Sequence, residues 1–207
     1  DFLTVDYMDT FFEAEWEVHY NSDRTGVRLL GPKPQWARPD GGEAGLHPSN
    51  LHDNPYAVGA VDFTGDMPVI LGPDGPSLGG FACPATVITA DLWKLGQLRP
   101  GDRVRFRLVS HPESLALLTC QEDLISESSK RETILSIPTR SPKDMKCVLE
   151  AGRCEEDQWI IRQSGDQNLL IEFGEPELDL RIRFKVHLFY QLLVGSKITG
   201  IIDLTPG

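Results

Sequence analysis

The sequence is short of positive charge, of cysteine and of long apolar runs, and each shortage excludes something. Twenty Lys and Arg stand against 31 Asp and Glu, giving a net charge of −11 and an isoelectric point near 4.9. A nucleic-acid binder carries a basic face over the phosphates, and a peripheral protein on anionic lipid needs a similar patch; neither is expected here. No stretch reaches the roughly 18 apolar residues that a membrane-spanning helix needs. The opening DFLTVDYMDTFFEAEWEVHY is acidic and lacks the basic-then-apolar form of a secretory signal. The four cysteines, Cys83, Cys120, Cys147 and Cys154, form no C-x-x-C pair and have no His pair at zinc spacing. Their irregular spacing fits free thiols in a reducing cytosol, with a Cys147–Cys154 disulfide sterically conceivable but poorly supported. An initiator Met is also missing, and the chain stops at DLTPG just after a strand-like run. It therefore reads as a fragment of something longer.

What is present is ordinary for a globular chain: 207 residues, 40% hydrophobic and 25% charged. Trp16, Val18 and Tyr20 alternate with polar residues at period two, a half-buried strand. NSDRTG is turn-like, and VRLLG reads as the returning strand. Residues 31–55 form a long Gly- and Pro-rich loop anchored by Trp36, Leu46 and Leu51, and loops of that length are usually functional. Short strands broken by Gly and Pro follow, typical of an all-β barrel or sandwich. TADLWKLGQL predicts one short helix with Thr89 as N-cap, and RVRFRLV a last strand with Val104, Phe106 and Leu108 on one face. A first unit is expected over 1–119, a polar linker over 120–156 and a small α+β unit over 157–207. In the last of these, QWIIRQSGDQNLLIEFG predicts a hairpin. Leu178, Ile182, Val186, Phe189 and Leu193 form one helical stripe, closed by Gly195. KITGIIDLTP predicts a further strand.

The stretch most in need of explanation is VILGPDGPSLGGF, residues 69–81. A buried strand runs into two prolines and four glycines with a single carboxylate, Asp74. Such a loop lets a ligand approach the backbone, whose N–H groups can then face a negatively charged oxygen. Taken alone, it reads first as a tight turn in which Gly and Pro satisfy geometry, and Asp74 as an Asx-turn acceptor. No G-K-[ST] follows, so it is not a P-loop, and no helix opens at Gly80, so it is not a dinucleotide fingerprint. His47, His52 and Asp53 do not share a helix face and lack further ligands, so no metal is expected. Arg24 and Arg28, at i and i+4 around a turn, read as solvated or paired with carboxylates rather than as substrate ligands.

Three longer stretches add a resemblance. Residues 21–81, from NSDRTG to GGF, with LWKLGQLRPGDRVRF after them, resemble the second half of the allophanate-hydrolase-subunit-two family. QWIIRQSGDQNLLIEFG with LDLRIRFKVHLFYQLL and GIIDLTPG resembles the start of the subunit-one family. That order is found in the carboxyltransferase region of biotin-dependent urea carboxylases. The resemblance implies a mainly β fold with α+β: a cyclophilin-like β-barrel followed by a small strand-strand-helix-strand domain. It implies transfer of a carboxyl group from carboxybiotin to urea, in the cytoplasm. Biotin would be carried on another domain, with ATP and Mg used in a further one, so the biotin carboxyl carrier and biotin carboxylase domains become partners within one polypeptide. Guanidine is the alternative acceptor; a non-enzymatic regulator or a 5-oxoprolinase-type relative is the alternative class.

That chemistry assigns candidate residues. Backbone N–H groups around Asp74, Gly75, Gly79 and Gly80 would stabilise negative charge on the biotin ureido oxygen. Asp62, Asn54, Arg24 and Phe81 would hold the acceptor, with the carboxylate of Asp62 the feature that favours a cationic one.

Overall fold

The computed structural model describes residues 2–38, 41–127, 137–154, 157–175 and 178–206. The chain opens with a helix absent from the reading above, α1 (Val5–Glu13). Thr4 caps it, its hydroxyl accepting the Tyr7 N–H at 3.2 Å. Tyr7 and Phe11, one turn apart, are its buried residues.

A six-stranded antiparallel sheet follows, in the order β7-β4-β5-β2-β1-β8. Its members are β1 (Trp16–Val18), β2 (Gly26–Leu30), β4 (Ala60–Thr64), β5 (Met67–Leu71), β7 (Ala85–Thr86) and β8 (Arg103–Val104). β3 (Asn50–Pro55) and β6 (Leu78–Phe81) pair separately as a two-stranded ribbon. The mainly β character is as expected, with the strands forming a curled half-barrel.

Period-two alternation divides the sheet into two faces. Val27, Leu29, Val61, Phe63 and Ile70 point to one side, where they meet Tyr7, Phe11 and Trp16 in the main core. Arg28, Asp62 and Val69, their sequence neighbours, are therefore on the other side. Helix α1 covers the first face; the second is the one that carries the polar chemistry.

The expected β1–β2 hairpin is present, and the short strands expected after residue 55 include a β4–β5 hairpin with Gly65 in the left-handed region (φ 66) at its turn. β8 is shorter than expected, although Phe106 still packs on the core. α2 (Leu92–Leu95) forms after a 3-10 turn at Thr89–Asp91. Thr89 lies inside that turn rather than capping it, because its N–H and hydroxyl are both donated to Asp166.

Much of 120–156 is regular structure rather than polar linker. α3 (His111–Glu127) starts at a half capping box, in which Glu113 accepts both the N–H and the hydroxyl of Ser110 at 2.7 Å. β9 (Val148–Cys154) is an edge strand of a second sheet with β10 (Asp157–Ser164) and β11 (Asn168–Phe173). Residues 128–136, also expected as linker, lie outside the described residues, as does the Cys154 side chain; Cys83, Cys120 and Cys147 are free thiols.

α4 (Leu180–Ser196) turns the expected stripe inward: Ile182, Val186, Phe189 and Leu193 are half-buried, while Leu178, ahead of the helix, is exposed. Gly195 does not end it; Lys197 does, in the left-handed conformation (φ 49). The strand expected over 197–206 does not form: residues 201–206 have no regular secondary structure, and the exposed Ile198, Ile201 and Ile202 bury no apolar face. Asp157 ties α4 to β10 through Arg181 at 3.0 Å and Lys185 at 2.5 Å.

The β10–β11 turn docks onto the first unit. Asp166, nearly buried, accepts the Thr89 N–H at 3.0 and 3.1 Å and the Thr89 hydroxyl at 2.9 Å. Hydrogen bonds to a charged group contribute about 1.5–3 kcal/mol, so Asp166→Ala is expected to lower unfolding free energy by roughly that amount. Thermal unfolding checks this; an unchanged midpoint would show that the turn is not held through Thr89.

Candidate functional site

The Gly-rich loop owes its composition to packing. A Cβ on Gly72 would stand 2.1 Å from the Arg24 carbonyl oxygen, and one on Gly75 would stand 2.8 Å from that of Thr25. The loop therefore lies directly on the 21–26 turn, and only glycine permits it. Asp74 is not alone: it pairs with Arg24 at 2.5 and 3.1 Å, and that guanidinium holds its carboxyl below the usual range. Both side chains are exposed, and neither lines the cavity on the polar face of the sheet. Gly75 donates its N–H to the Gly72 carbonyl at 3.0 Å, so that donor is already satisfied. Asp74, Gly75 and Arg24 thus form a surface turn outside the cavity lining. Exposed ion pairs contribute little to stability, so Asp74→Ala is expected to lower the unfolding midpoint by no more than a few degrees. Thermal unfolding checks this; a larger loss would show that the loop depends on the Arg24 pair for its fold.

A cavity of about 380 Å³ lies instead on the polar face of the sheet. Arg28, Asp62, Thr64, Met67 and Val69 contribute from β2, β4 and β5; Tyr56, Pro76, Gly79 and Phe81 contribute from the ribbon side. Of the expected residues it brings together Asp62, Gly79 and Phe81. Asn54 is in register with Gly79 but spends its side-chain N–H on the Phe81 carbonyl at 3.3 Å. Gly80 sits in β6 between Gly79 and Phe81, and is not part of the cavity wall.

Asp62 is the unusual group. It is 4% exposed, and its Oδ1 has no hydrogen-bond partner among the described residues. Burial pushes its carboxyl up to about 6. Burial, and then the charge of Asp62, raise the Tyr56 hydroxyl and the Cys83 thiol nearby, so neither ionises at neutral pH. A buried carboxylate is costly unless its oxygens are satisfied, and this one, with Oδ1 unpartnered among the described residues, lines a cavity.

Tyr56 was not singled out from the sequence. Its hydroxyl accepts the Phe81 N–H at 2.7 Å, and its ring occupies the space that a Cβ on Gly79 would need, 2.6 Å away. It is the strut that fixes β6 along the cavity. Arg28 was set aside as solvated, yet it too lines the cavity. The signal for both charged groups was present: V-R-L and V-D-F each place the charge opposite two core residues.

Residues 1–108 match the model of the family described as carboxyltransferase domain, subdomain A and B. The chain belongs to that family. Carboxyltransferase relatives extend the match beyond that segment. The chain is 43% identical over its whole length to a urea amidolyase of Lachancea kluyveri and 40% identical to that of Saccharomyces cerevisiae. It covers 12% of each, so it spans about an eighth of the length of these relatives. Among solved structures, the Kluyveromyces lactis urea carboxylase superposes with a TM-score of 0.84 at 44% identity, over 96% of this chain and 18% of that one. As a carboxyltransferase segment, the chain presents a cavity with one buried carboxylate and one guanidinium. Among the described residues no group of three His, Cys, Asp or Glu is placed to hold a metal, and no helix is long and apolar enough to cross a membrane.

Proposed function

We propose that the chain is part of the carboxyltransferase of a biotin-dependent urea carboxylase, a cytoplasmic enzyme that converts urea to allophanate. The observation that carries this reading is identity of 40% or more, across the whole chain, with urea amidolyases. Biotin on a carrier domain of the same polypeptide, charged with ATP and Mg in a biotin carboxylase domain, supplies the carboxyl group. The cavity suits such a pairing: urea fills only part of about 380 Å³, and Tyr56, Phe81 and Val69 give it apolar walls for a ring. This chain's own contribution is to bind and orient. Asp62 accepts N–H from the acceptor, Tyr56 and Phe81 border it, and Gly79 lets the wall come close.

Guanidine is the second reading, favoured by one observation. Burial is what raises the Asp62 carboxyl, with no cation beside it to lower it, so a cationic acceptor would gain a charge-assisted pair. The full-length protein, given labelled bicarbonate and ATP, is expected to form labelled allophanate only with urea, and avidin should abolish it. Label incorporation with guanidine but not urea would install the second reading. No label with either would overturn both.

A further inference from the structure

Two opposite charges line the cavity and do not pair. In the sheet, Arg28 of β2 is in register with Val69 of β5, and Val69 with Asp62 of β4. Cross-strand partners point to the same face, so Arg28, Val69 and Asp62 form one row across three strands. Two strand spacings separate the backbones of the charged pair by about 10 Å. No ion pair joins them among the described residues. Arg28 turns Nη1 toward the Asn21 carbonyl, which leaves other N–H groups of its fork for a ligand. Asp23, in the preceding turn, feels the charge of Arg28 but accepts the backbone N–H groups of Thr25 and Gly26. Among the described residues, Asp62 Oδ1 has no hydrogen-bond partner. The apolar Val69 between them cannot bridge the two.

We propose that Asp62 and Arg28 are the two poles of one binding site, and that its ligand is an N-carboxylated amide. Such a ligand offers N–H donors at one end and a carboxylate at the other. Asp62 takes the first, Arg28 the second, and Val69 with the aromatic side chains faces the planar middle. This deepens the reading above and rests on it for the identity of the natural ligand. Urea and guanidinium have no carboxylate, so Arg28 is the group that distinguishes the carboxylated species from the acceptor. A guanidinium fork fits a carboxylate with two parallel hydrogen bonds, a geometry that lysine does not reproduce.

The probe is malonamate, a stable monoamide monocarboxylate, compared with neutral malonamide by calorimetry on the full-length protein. Malonamate is expected to bind roughly tenfold more tightly than malonamide, the scale of one charge-assisted contact. Arg28→Gln should erase that preference, and malonamide binding retained by the same variant shows that the cavity is intact. Arg28→Lys should retain part of the preference and serves if the Gln variant does not fold. Asp62→Asn should weaken both ligands. Equal binding of the two probes, no binding of malonamate, or a preference that survives Arg28→Gln would overturn the proposal. Turnover is not needed for this readout. If urea carboxylation fails but the Arg28-dependent preference holds, the reaction is misassigned and the site stands; the reverse result removes the site alone.

Discussion

Asp62→Asn is expected to lower kcat/KM of the full-length enzyme for its acceptor by about 10–100-fold, the effect of losing one hydrogen bond to a charged group. If guanidine is the natural acceptor, its value should fall far more than that for urea, because only the cation loses a charge pair. Equal effects on both would remove Asp62 from acceptor selection. The same substitution should change the pH dependence of stability. The Asp62 carboxyl rises from the ordinary 3.8 to about 6 on folding because burial disfavours its charge. Below pH 4 the group is protonated in both states and imposes no cost. Between pH 4 and 6 the unfolded chain ionises first, so the folded state loses ground. Above pH 6 the full cost is present, roughly 3 kcal/mol for a shift of about two units. The stability of the native protein relative to Asp62→Asn should therefore fall by roughly that amount between pH 4 and 7.5. Thermal unfolding of both proteins across that range checks it; a pH-independent difference would mean that Asp62 is not held in a desolvated site.

Trp16→Ala is expected to have the largest effect on folding. Trp16 is fully buried, donates its indole N–H to the Phe11 carbonyl at 3.0 Å, and packs on the Phe11 ring at 5.2 Å. With the Tyr7–Phe63 and Phe11–Phe63 ring pairs it closes α1 over the core face of the sheet, and Gly31 lies so close that a Cβ there would stand 2.4 Å from the ring. Removing a buried Trp side chain typically costs 3–5 kcal/mol. Differential scanning calorimetry should show a correspondingly large fall in Tm. A loss under about 1 kcal/mol would place Trp16 outside the cooperative core, since surface substitutions stay in that range.

Local patterns were legible where they were strictly periodic. The β1–β2 hairpin and the inward stripe of α4 follow from period two and period 3.6. α3 was missed although Ser110 and Glu113 carry a capping-box spacing, because the polar residues after Cys120 outweighed that signal. α1 carries a comparable signal, a Thr4 cap followed by Tyr7, Met8, Phe11 and Phe12 at helical spacing, diluted by the acidic residues between them. Asp62 was legible as a candidate because V-D-F sets a carboxylate between two core residues. Its meeting with Arg28 was not, since it depends on β2 pairing with β5 across 41 positions of sequence. The Gly-rich loop misled in the other direction. Its glycines satisfy contact with the 21–26 turn, a requirement visible only once the two segments are folded together.

The most direct test of the site is a crystal structure of the full-length enzyme with malonamate bound. Density is expected over Val69, with the amide within hydrogen-bond reach of Asp62, the carboxylate on Arg28, and Tyr56 and Phe81 bordering it. Malonamate bound elsewhere, with the Asp62 cavity holding only water, would contradict it.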